Sequence, residues 1–312
     1  MKHYLSINDL DNLQQTVAEA LQLKKDPFAL EHLGRQKTIC LLFFNNSLRT
    51  RLSTQKAARQ LGMDVMVMNF GQEGWQLEYG DGSVMDKGKS EHVREAAQVV
   101  SQYADIVAIR AFAQLLHRER DEAEEVLRGF SSFASVPIVN LESSVAHPLQ
   151  ALADAITLAE NNTKARPKVV LSWAPHPKAL PHAVANSFVR MMHLQDADFV
   201  ITHPEGYALD PKITKNVPLV HDQEEALKGA DFVYVKNWSS YTAYGEVLNQ
   251  DPNWRMSLDK LKHAKFMHCL PVRRNMVVED AVLDSGQSLV IQQAHNRTYA
   301  AQVVLKRLLE QM

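Results

Sequence analysis

The 312-residue chain has little cysteine and no marked excess of charge of either sign. Its two cysteines, Cys40 and Cys269, cannot form a disulfide framework, which favours a reducing compartment. With 34 basic and 36 acidic side chains the net charge is −2, so no basic surface for nucleic acid or anionic membrane is indicated. No apolar run approaches the ~20 residues of a membrane helix, and the polar, acidic start resembles neither a signal nor a transit peptide. We expect a cytoplasmic protein with no nucleic-acid or membrane partner.

Several ligand motifs are also missing. No G-x-G-x-x-G and no G-x-x-x-x-G-K-[ST] occurs, which removes the main support for a dinucleotide site or a P-loop. Cysteine and histidine do not fall at zinc-ligand spacings. We therefore expect neither an organic cofactor nor a metal.

Apolar runs alternate with helical stretches, which predicts an α/β fold of two doubly wound parallel-sheet domains of similar size, joined by helices. Predicted strands cover 38–44, 64–69, 105–110, 137–140, 168–173, 198–202, 231–236, 265–268 and 289–291. Predicted helices lie within the first 35 residues and near 50–61, 91–103, 121–134, 147–161, 182–193, 222–229, 277–284 and 296–311. The expected domains are 1–150 and 151–312, with the last helix either kept in the second domain or packed back on the first.

The first predicted strand ends in the run Asn45–Arg51, and a helix follows. A helix N-terminus offers free backbone N–H groups, Ser47 and Thr50 add hydroxyls, and Arg49 adds a fork suited to phosphate. The alternative is a plain helix cap with a solvated arginine.

Two more strand ends carry similar chemistry. Arg110 closes the third strand in the run VAIRAF, where an arginine among apolar residues needs a partner or a ligand. His147 and Gln150 open the linker helix one turn apart, so both can face one ligand. The alternative for His147-Pro148 is an ordinary helix start.

Ser-x-Arg-Thr, the strand-end arginine, His-Pro-x-Gln and the late run His268–Pro271 occur in an order and spacing that resemble the carbamoyltransferase family. The resemblance covers essentially the whole chain. It implies that one domain binds carbamoyl phosphate, that the other binds an amino-acid acceptor, and that the chain forms a homotrimer with sites between subunits.

The resemblance also implies roles for individual residues. Arg110, His147, Thr50 and Cys269 would be catalytic, with Cys269 orienting the substrate rather than acting as a nucleophile. The expected carbamoyl-phosphate-binding residues are Ser47, Leu48, Arg49, Thr50, Trp75, Arg110, His147, Pro148, Leu149, Gln150, Cys269, Leu270 and Arg297. Trp75 would reach across from a neighbouring subunit, and the alternative is a loop tryptophan packed on its own subunit. The alternative for Arg297 is a surface arginine.

The acceptor is indicated by Lys236, which stands where ornithine enzymes of the family carry an aspartate. A cation there repels a free α-ammonium and suits a substrate whose α-nitrogen is acylated. The alternative is a solvated lysine at a strand end. The acylornithine branch further implies substrate contacts from Glu142, His176, Arg273 and Ser90, with one of Arg273 and Arg274 expected to be structural.

The residue at position 90 indicates which acyl group the substrate carries, because acetyl-type enzymes of this branch have glutamate there and succinyl-type enzymes have proline. Serine matches neither, but it lacks a charge that would repel a succinyl carboxylate, and Lys87 and Lys89 lie close in sequence. We expect carbamoyl transfer to the δ-amine of N-succinyl-L-ornithine, giving N-succinyl-L-citrulline and phosphate in arginine biosynthesis. The alternatives are N-acetylornithine, a non-catalytic carbamoyl-phosphate-binding protein, and an unrelated doubly wound binding protein.

Overall fold

The computed structural model describes all 312 residues. The first half of the chain contains, in order, α1 (Leu13–Lys25), β1 (Thr38–Phe43), α2 (Arg49–Gln60), β2 (Asp64–Asn69), α3 (Phe70–Glu73), β3 (Leu77–Glu78), β4 (Glu91–His92), α4 (Val93–Tyr103), β5 (Ile106–Arg110), α5 (Arg118–Ala123), α6 (Glu125–Phe133), β6 (Ile138–Glu142) and α7 (Pro148–Asn161). Short 3-10 helices at Ile7–Asp9 and Glu31–Gly34 flank α1.

The second half continues with β7 (Lys168–Trp173), α8 (Ala183–Met192), β8 (Asp198–Thr202), α9 (Pro211–Thr214), β9 (Leu219–Val220), α10 (Gln223–Leu227), β10 (Phe232–Lys236), α11 (Leu258–Leu261), β11 (Lys265–Met267), α12 (Asp280–Leu283) and α13 (Val290–Leu309). A third 3-10 helix covers Pro252–Trp254. No helix is both long and apolar enough to span a bilayer.

Clustering of contacts divides the chain into two compact units. Unit 1 comprises Met1–Gln114, Glu119–Leu152 and Arg297–Met312, and unit 2 comprises Leu115–Arg118 and Ala153–Asn296. The chain therefore passes between the units on either side of Leu115–Arg118, within α7 and within α13, and most of α13 belongs to unit 1.

The sheet of unit 1 has the order β2-β1-β5-β6, with every neighbouring pair parallel. Strand β1 is buried from Ile39 to Phe43, as expected for a parallel strand covered on both faces. The strand order reverses between β1 and β5, and ligands of such sheets bind where the order reverses, at the carboxyl ends of the strands. A separate two-stranded parallel ladder joins β3 to β4.

The sheet of unit 2 has the order β11-β10-β7-β8-β9, again wholly parallel. Here the order reverses between β7 and β10, whose last residues, Trp173 and Lys236, are paired in register. The core of unit 2 includes Val170, Val233 and Phe266, all fully buried. Both sheets thus confirm the predicted fold class of two doubly wound parallel-sheet domains.

Two local predictions were wrong. Residues 289–291 do not form a strand, because only Ser288 bridges to Phe266 and α13 begins at Val290. A short apolar run is compatible with either a strand or a buried helix, and this one forms the start of a helix. The helix predicted at 121–134 is interrupted at Glu124, whose φ of 49° is left-handed. The helix predicted within the first 35 residues is confirmed as α1, which Asn12 caps by accepting the Gln15 N–H at 2.9 Å.

Candidate active site

In unit 1 the loops after β1 and β5 meet at the reversal of strand order. The Phe44 N–H donates to the Arg110 carbonyl at 2.9 Å, which keeps the two strand ends together. Helix α2 then starts at Arg49 without any side-chain cap, since its N-cap residue is Leu48, which is 66% exposed. The first-turn N–H groups of α2 therefore have no side-chain acceptor and can bind an anion.

A salt bridge joins the carboxyl ends of β5 and β6. Arg110 Nη1 contacts Glu142 Oε2, and the two residues are opposite each other in the register of the strands. His147 Nε2 lies 3.5 Å from the same carboxylate oxygen. All three side chains are nearly or fully buried, so the group forms a fixed cluster at the start of α7.

Arg297 of α13 completes this cluster. Its Nη2 donates to Thr50 Oγ1 at 2.5 Å and lies 3.3 Å from His147 Nε2. A hydroxyl that accepts from arginine keeps its own proton available, so Thr50 can donate to a ligand. Gln150, like the preceding Pro148 and Leu149, is buried in the first turn of α7.

The charges of this cluster do not balance. Arg49, Arg110 and Arg297 all lower the pKa of the buried His147, although burial itself has the largest effect, and the imidazole is held well below its usual range. Glu142 is the one carboxylate in contact with Arg110 and His147. A neutral imidazole among three arginines and one carboxylate leaves positive charge available for an anionic ligand.

In unit 2 the corresponding position lies where β7 and β10 end. Lys236, the last residue of β10, is only 9% exposed, and its side chain forms no hydrogen bond or salt bridge within the chain. The loop after β7 carries His176, whose pKa is lowered mainly by burial and further by Lys236, Arg273 and Lys178. A lysine side chain with little solvent contact and no counter-ion favours an anionic ligand at this place.

Arg273 is held by a neutral group. Its Nε donates to His176 Nε2 at 3.1 Å, while His176 Nδ1 lies 2.8 Å from the Lys178 carbonyl oxygen and 3.2 Å from the Lys178 backbone nitrogen. Arg274 instead pairs with Asp280 at 2.9 Å and with Asp284 at 2.7 Å. Arg274 is therefore the structural member of the pair, and Arg273 keeps its charge unneutralised.

Cys269 and Leu270 follow β11 in unit 2. Cys269 is buried and Leu270 partly buried, and the Leu270 N–H donates to His268 Nδ1 at 2.9 Å. Leu270 has a φ of 55°, a left-handed conformation that a leucine rarely adopts. The segment His268–Leu270 is thus held in one unusual backbone shape.

Trp75 and Ser90 lie together in unit 1 on the segment 75–92, here named the β3–β4 lobe. The Ser90 N–H donates to the Gln76 carbonyl at 3.1 Å, and Trp75 Nε1 donates to Glu91 at 2.8 Å. Trp75 is 57% exposed. Lys89 pairs with Glu78 at 3.1 Å, so part of the positive charge expected near Ser90 is neutralised.

Comparison with known proteins agrees with this geometry. Residues 2–160 match the family domain described as "Aspartate/ornithine carbamoyltransferase, carbamoyl-P binding domain", and residues 181–308 match its "Asp/Orn binding domain". An N-succinylornithine carbamoyltransferase of Bacteroides fragilis (strain 638R) is 49% identical over 100% of both chains. The chain belongs to the aspartate/ornithine carbamoyltransferase family.

Two further relatives lie in the acylornithine part of this carbamoyltransferase family. An N-acetylornithine carbamoyltransferase of Xanthomonas axonopodis pv. citri (strain 306) is 34% identical over 100% of this chain and 97% of that protein. A solved N-acetyl-L-ornithine transcarbamylase with one glutamate replaced by valine was complexed with carbamyl phosphate and N-succinyl-L-norvaline. It is 32% identical, covers 99% of this chain and 100% of that chain, and has a TM-score of 0.91.

For this carbamoyltransferase, sequence reasoning missed two features of unit 1. The salt bridge between Glu142 and Arg110 was not foreseen, whereas the predicted contact of Glu142 with the substrate stays a prediction. Asn45 was not singled out, yet its Oδ1 accepts the Phe112 N–H at 2.6 Å and so joins the loops after β1 and β5. Both could have been suspected from the parallel pairing of β1, β5 and β6, which places 45, 110 and 142 at one edge.

Proposed function

We propose that the protein transfers the carbamoyl group of carbamoyl phosphate to the δ-amine of N-succinyl-L-ornithine, giving N-succinyl-L-citrulline and phosphate in arginine biosynthesis. In this proposal 1–150 is the carbamoyl-phosphate-binding domain and 151–312 is the acylornithine-binding domain, with the end of α13 contributing Arg297 to the first. Family membership supports the reaction class.

Carbamoyl phosphate would bind to the unit 1 cluster. Its phosphate would meet the N-terminus of α2 with Ser47, Leu48, Arg49 and Thr50, and Arg297 would add a second guanidinium. Its carbamoyl group would lie against Arg110, His147 and Gln150, with Pro148 and Leu149 shaping the first turn of α7. The excess of positive charge around a neutral His147 supports this assignment.

The transfer needs one bond to form and one to break. The lone pair of the neutral δ-amine attacks the carbamoyl carbon, and the bond from that carbon to the phosphate oxygen breaks. Thr50, Arg110 and His147 would stabilise the carbonyl oxygen as it gains negative charge. The amine proton passes to the departing phosphate, which the arginines hold, and Cys269 and Leu270 orient the incoming amine.

The acceptor is argued from the unpaired cations of unit 2. Neither Lys236 nor Arg273 has a carboxylate partner, and Lys178 adds a third positive charge beside His176. A free ornithine would bring an α-ammonium into this field. An N-succinylated ornithine instead brings two carboxylates, and its acylated α-nitrogen carries no charge. It therefore supplies negative charges opposite these cations. The 49% identity to the Bacteroides fragilis relative supports the same choice.

The decisive experiment measures phosphate release from carbamoyl phosphate with succinyl-, acetyl- and free ornithine. We expect kcat/KM to be highest for succinylornithine and lowest for ornithine. A preference for acetylornithine would overturn the acyl group but not the reaction class. No turnover with any amine, together with tight carbamoyl-phosphate binding, would favour a non-catalytic binding protein.

We further propose a homotrimer in which the β3–β4 lobe carries Trp75 and Ser90 to a neighbouring active site. The lobe is exposed along most of its length, and Val84 at its tip is 81% exposed. Mixing Trp75→Ala subunits with Arg49→Ala subunits should restore activity, because a hybrid site can combine an intact Arg49 with a neighbour's intact Trp75. Absence of recovery after verified subunit exchange would refute the shared site.

The two cysteines support a cytoplasmic setting for this reaction. Cys40 and Cys269 are both buried and neither is in a disulfide, and burial raises the pKa of the Cys40 thiol to about 11. Two cysteines kept as thiols are typical of proteins of a reducing compartment. Fractionation of cells with an activity assay would test the location.

A further inference from the structure

Helix α7 presents three buried polar side chains along one face. His147 immediately precedes the helix, and Gln150 and Asp154 follow at intervals of three and four residues. This spacing puts all three on the same face. The first two belong to the unit 1 cluster described above, whereas Asp154 lies one turn beyond Gln150, in unit 2, and has no role in the proposed reaction. Its carboxyl group is completely buried, with 0% exposure.

One oxygen of Asp154 reaches the segment His268–Leu270 through a glutamine. Asp154 Oδ1 accepts from Gln293 Nε2 at 2.7 Å, and Gln293 Oε1 accepts the His268 N–H at 3.0 Å. A glutamine amide has distinct donor and acceptor ends, so an acceptor on one side and an N–H on the other fix its orientation. The carboxyl group thereby fixes the backbone at His268.

Tyr234 of β10 is fully buried near this chain of hydrogen bonds, and burial, followed by Asp154 and Cys269, raises the pKa of its phenol well above the usual range. The geometric connection from Asp154 to the segment is the one through Gln293 to the His268 N–H.

This segment needs such support. Leu270 is held at a φ of 55°, and a non-glycine residue keeps a left-handed conformation only where surrounding contacts impose it. The Leu270 N–H is already committed to His268 Nδ1 at 2.9 Å, so a shift of His268 is transmitted to Leu270. Losing the anchor at His268 would release the conformation of the whole segment.

We propose that Asp154 is a positioning residue for carbamoyl transfer, which holds the segment His268–Leu270 in place through Gln293. The proposal rests on the proposed function insofar as Cys269 and Leu270 orient the incoming amine. A small misplacement of reacting groups reduces the rate of the chemical step far more than it reduces the binding of the first substrate. Asp154 therefore acts on turnover and not on the affinity for carbamoyl phosphate.

The test compares three variants with wild type in steady-state kinetics. Asp154→Ala should lower kcat at least about tenfold and leave KM for carbamoyl phosphate within about twofold. Asp154→Asn keeps an acceptor oxygen for Gln293 and should recover most of the lost kcat. Gln293→Met breaks the same chain of hydrogen bonds, so its effect should not add to that of Asp154→Ala in the double variant.

Thr157→Val is the matched control on the same helix. Thr157 is also fully buried, and its Oγ1 accepts from Asn296 at 2.9 Å and donates to Ala153 at 2.7 Å, away from the segment His268–Leu270. This variant should lower the melting temperature and leave kcat unchanged. A wild-type kcat for Asp154→Ala, an equal loss in Asp154→Asn, or an equal loss in Thr157→Val would each overturn the proposal.

If Asp154→Ala does not fold, Asp154→Asn and Gln293→Met replace it as the test of the proposal. A wild-type kcat in Gln293→Met then overturns the proposal. All variants are assayed with whichever acylated ornithine the wild type carbamoylates best. A wild-type preference for the acetyl substrate then refutes the acceptor proposal, while the ratio of variant to wild-type kcat still tests Asp154.

Discussion

The two candidate half-sites differ in how their cations are compensated. In unit 1, Arg110 forms an ion pair with Glu142, whereas Arg297 donates to the hydroxyl of Thr50 beside His147. In unit 2, Arg273 donates to the imidazole of His176, and the side chain of Lys236 forms no hydrogen bond or salt bridge. Both halves keep positive charge for an anionic substrate, but only the phosphate half contains an ion pair among its candidate residues.

This difference has an energetic consequence. Removing one member of a buried ion pair leaves the other charge uncompensated, so unit 1 substitutions should reduce stability as well as activity. Removing a cation that has no partner relieves repulsion, so unit 2 substitutions should reduce substrate affinity alone. The following predictions test that contrast, beginning with the largest expected effect.

Arg110→Ala should reduce both the stability of the protein and its catalytic activity. Loss of a donor to the developing oxyanion should lower kcat by about a hundred- to a thousandfold, and the stranded Glu142 should cost about 3–5 kcal/mol of unfolding free energy. Denaturant unfolding and steady-state kinetics measure the two effects. In Arg110→Ala/Glu142→Gln the stability should return while kcat stays low. If Arg110→Ala alone is as stable as wild type, the expected difference in stability between unit 1 and unit 2 substitutions is contradicted.

Lys236→Met should affect binding only. Loss of a charge-assisted contact of about 1.5–3 kcal/mol should raise KM for the acylated ornithine about ten- to a hundredfold. The melting temperature and KM for carbamoyl phosphate should be unchanged, because Lys236 has no partner to lose. Lys212→Met, at an exposed lysine of α9, is the control and should leave all three values alone. A marked loss of stability in Lys236→Met would show that its charge is compensated within the protein.

Ser90→Glu tests the acyl end of the substrate. Two like charges about 4 Å apart repel by about 4 kcal/mol at an effective dielectric near 20, and solvent reduces this value. We expect kcat/KM for succinylornithine to fall about tenfold to a hundredfold while acetylornithine is spared or improved. Ser90→Gln adds the same bulk without charge and serves as control. An unchanged ratio of the two substrates would place the acyl end elsewhere, with the loop at 176–181 as the next candidate.

The smallest effect concerns pH. Because the pKa of His147 is lowered in the folded protein, the unfolded state binds more protons below about pH 6.5, and stability is lost as pH falls from there towards the folded pKa. Between pH 7 and 5.5 wild type should lose about 1 kcal/mol more unfolding free energy than His147→Gln. The more exposed His176 should give a smaller difference in His176→Gln. An equal slope in wild type and His147→Gln would show that the imidazole is not held neutral.

The strand-end motifs could be placed from sequence because parallel sheets bring all carboxyl ends of their strands to one edge. That rule located Arg49, Arg110 and His147 in unit 1 and His176 and Lys236 in unit 2. The alternation of strands and helices predicted the fold class correctly, and the resemblance of the motifs to a known family predicted the family and the carbamoyltransferase reaction class correctly. The roles of the individual residues stay predictions.

What escaped prediction depends on pairings between distant residues. The salt bridge from Arg110 to Glu142 follows from strand register, and the contact from Arg297 to Thr50 joins residues 247 positions apart. Neither pairing leaves a local signal in the sequence. The strand predicted at 289–291 was wrong for a different reason. The composition of this run suits a strand, and only the packing of α13 makes it the start of a helix.

The β3–β4 lobe bears on how acceptor preference could change during evolution. Its two short strands and the Lys89–Glu78 pair connect Trp75 to Ser90 within one surface segment, and Leu77 is its deeply buried side chain. Substitutions at the exposed positions of this segment, unlike those at Leu77, disturb no core packing and so escape the stability losses that restrict most mutations. In the proposed arrangement, acyl-group preference can therefore change during evolution by substitutions in this one exposed segment. The cores of both units and the residues proposed to bind carbamoyl phosphate stay unchanged.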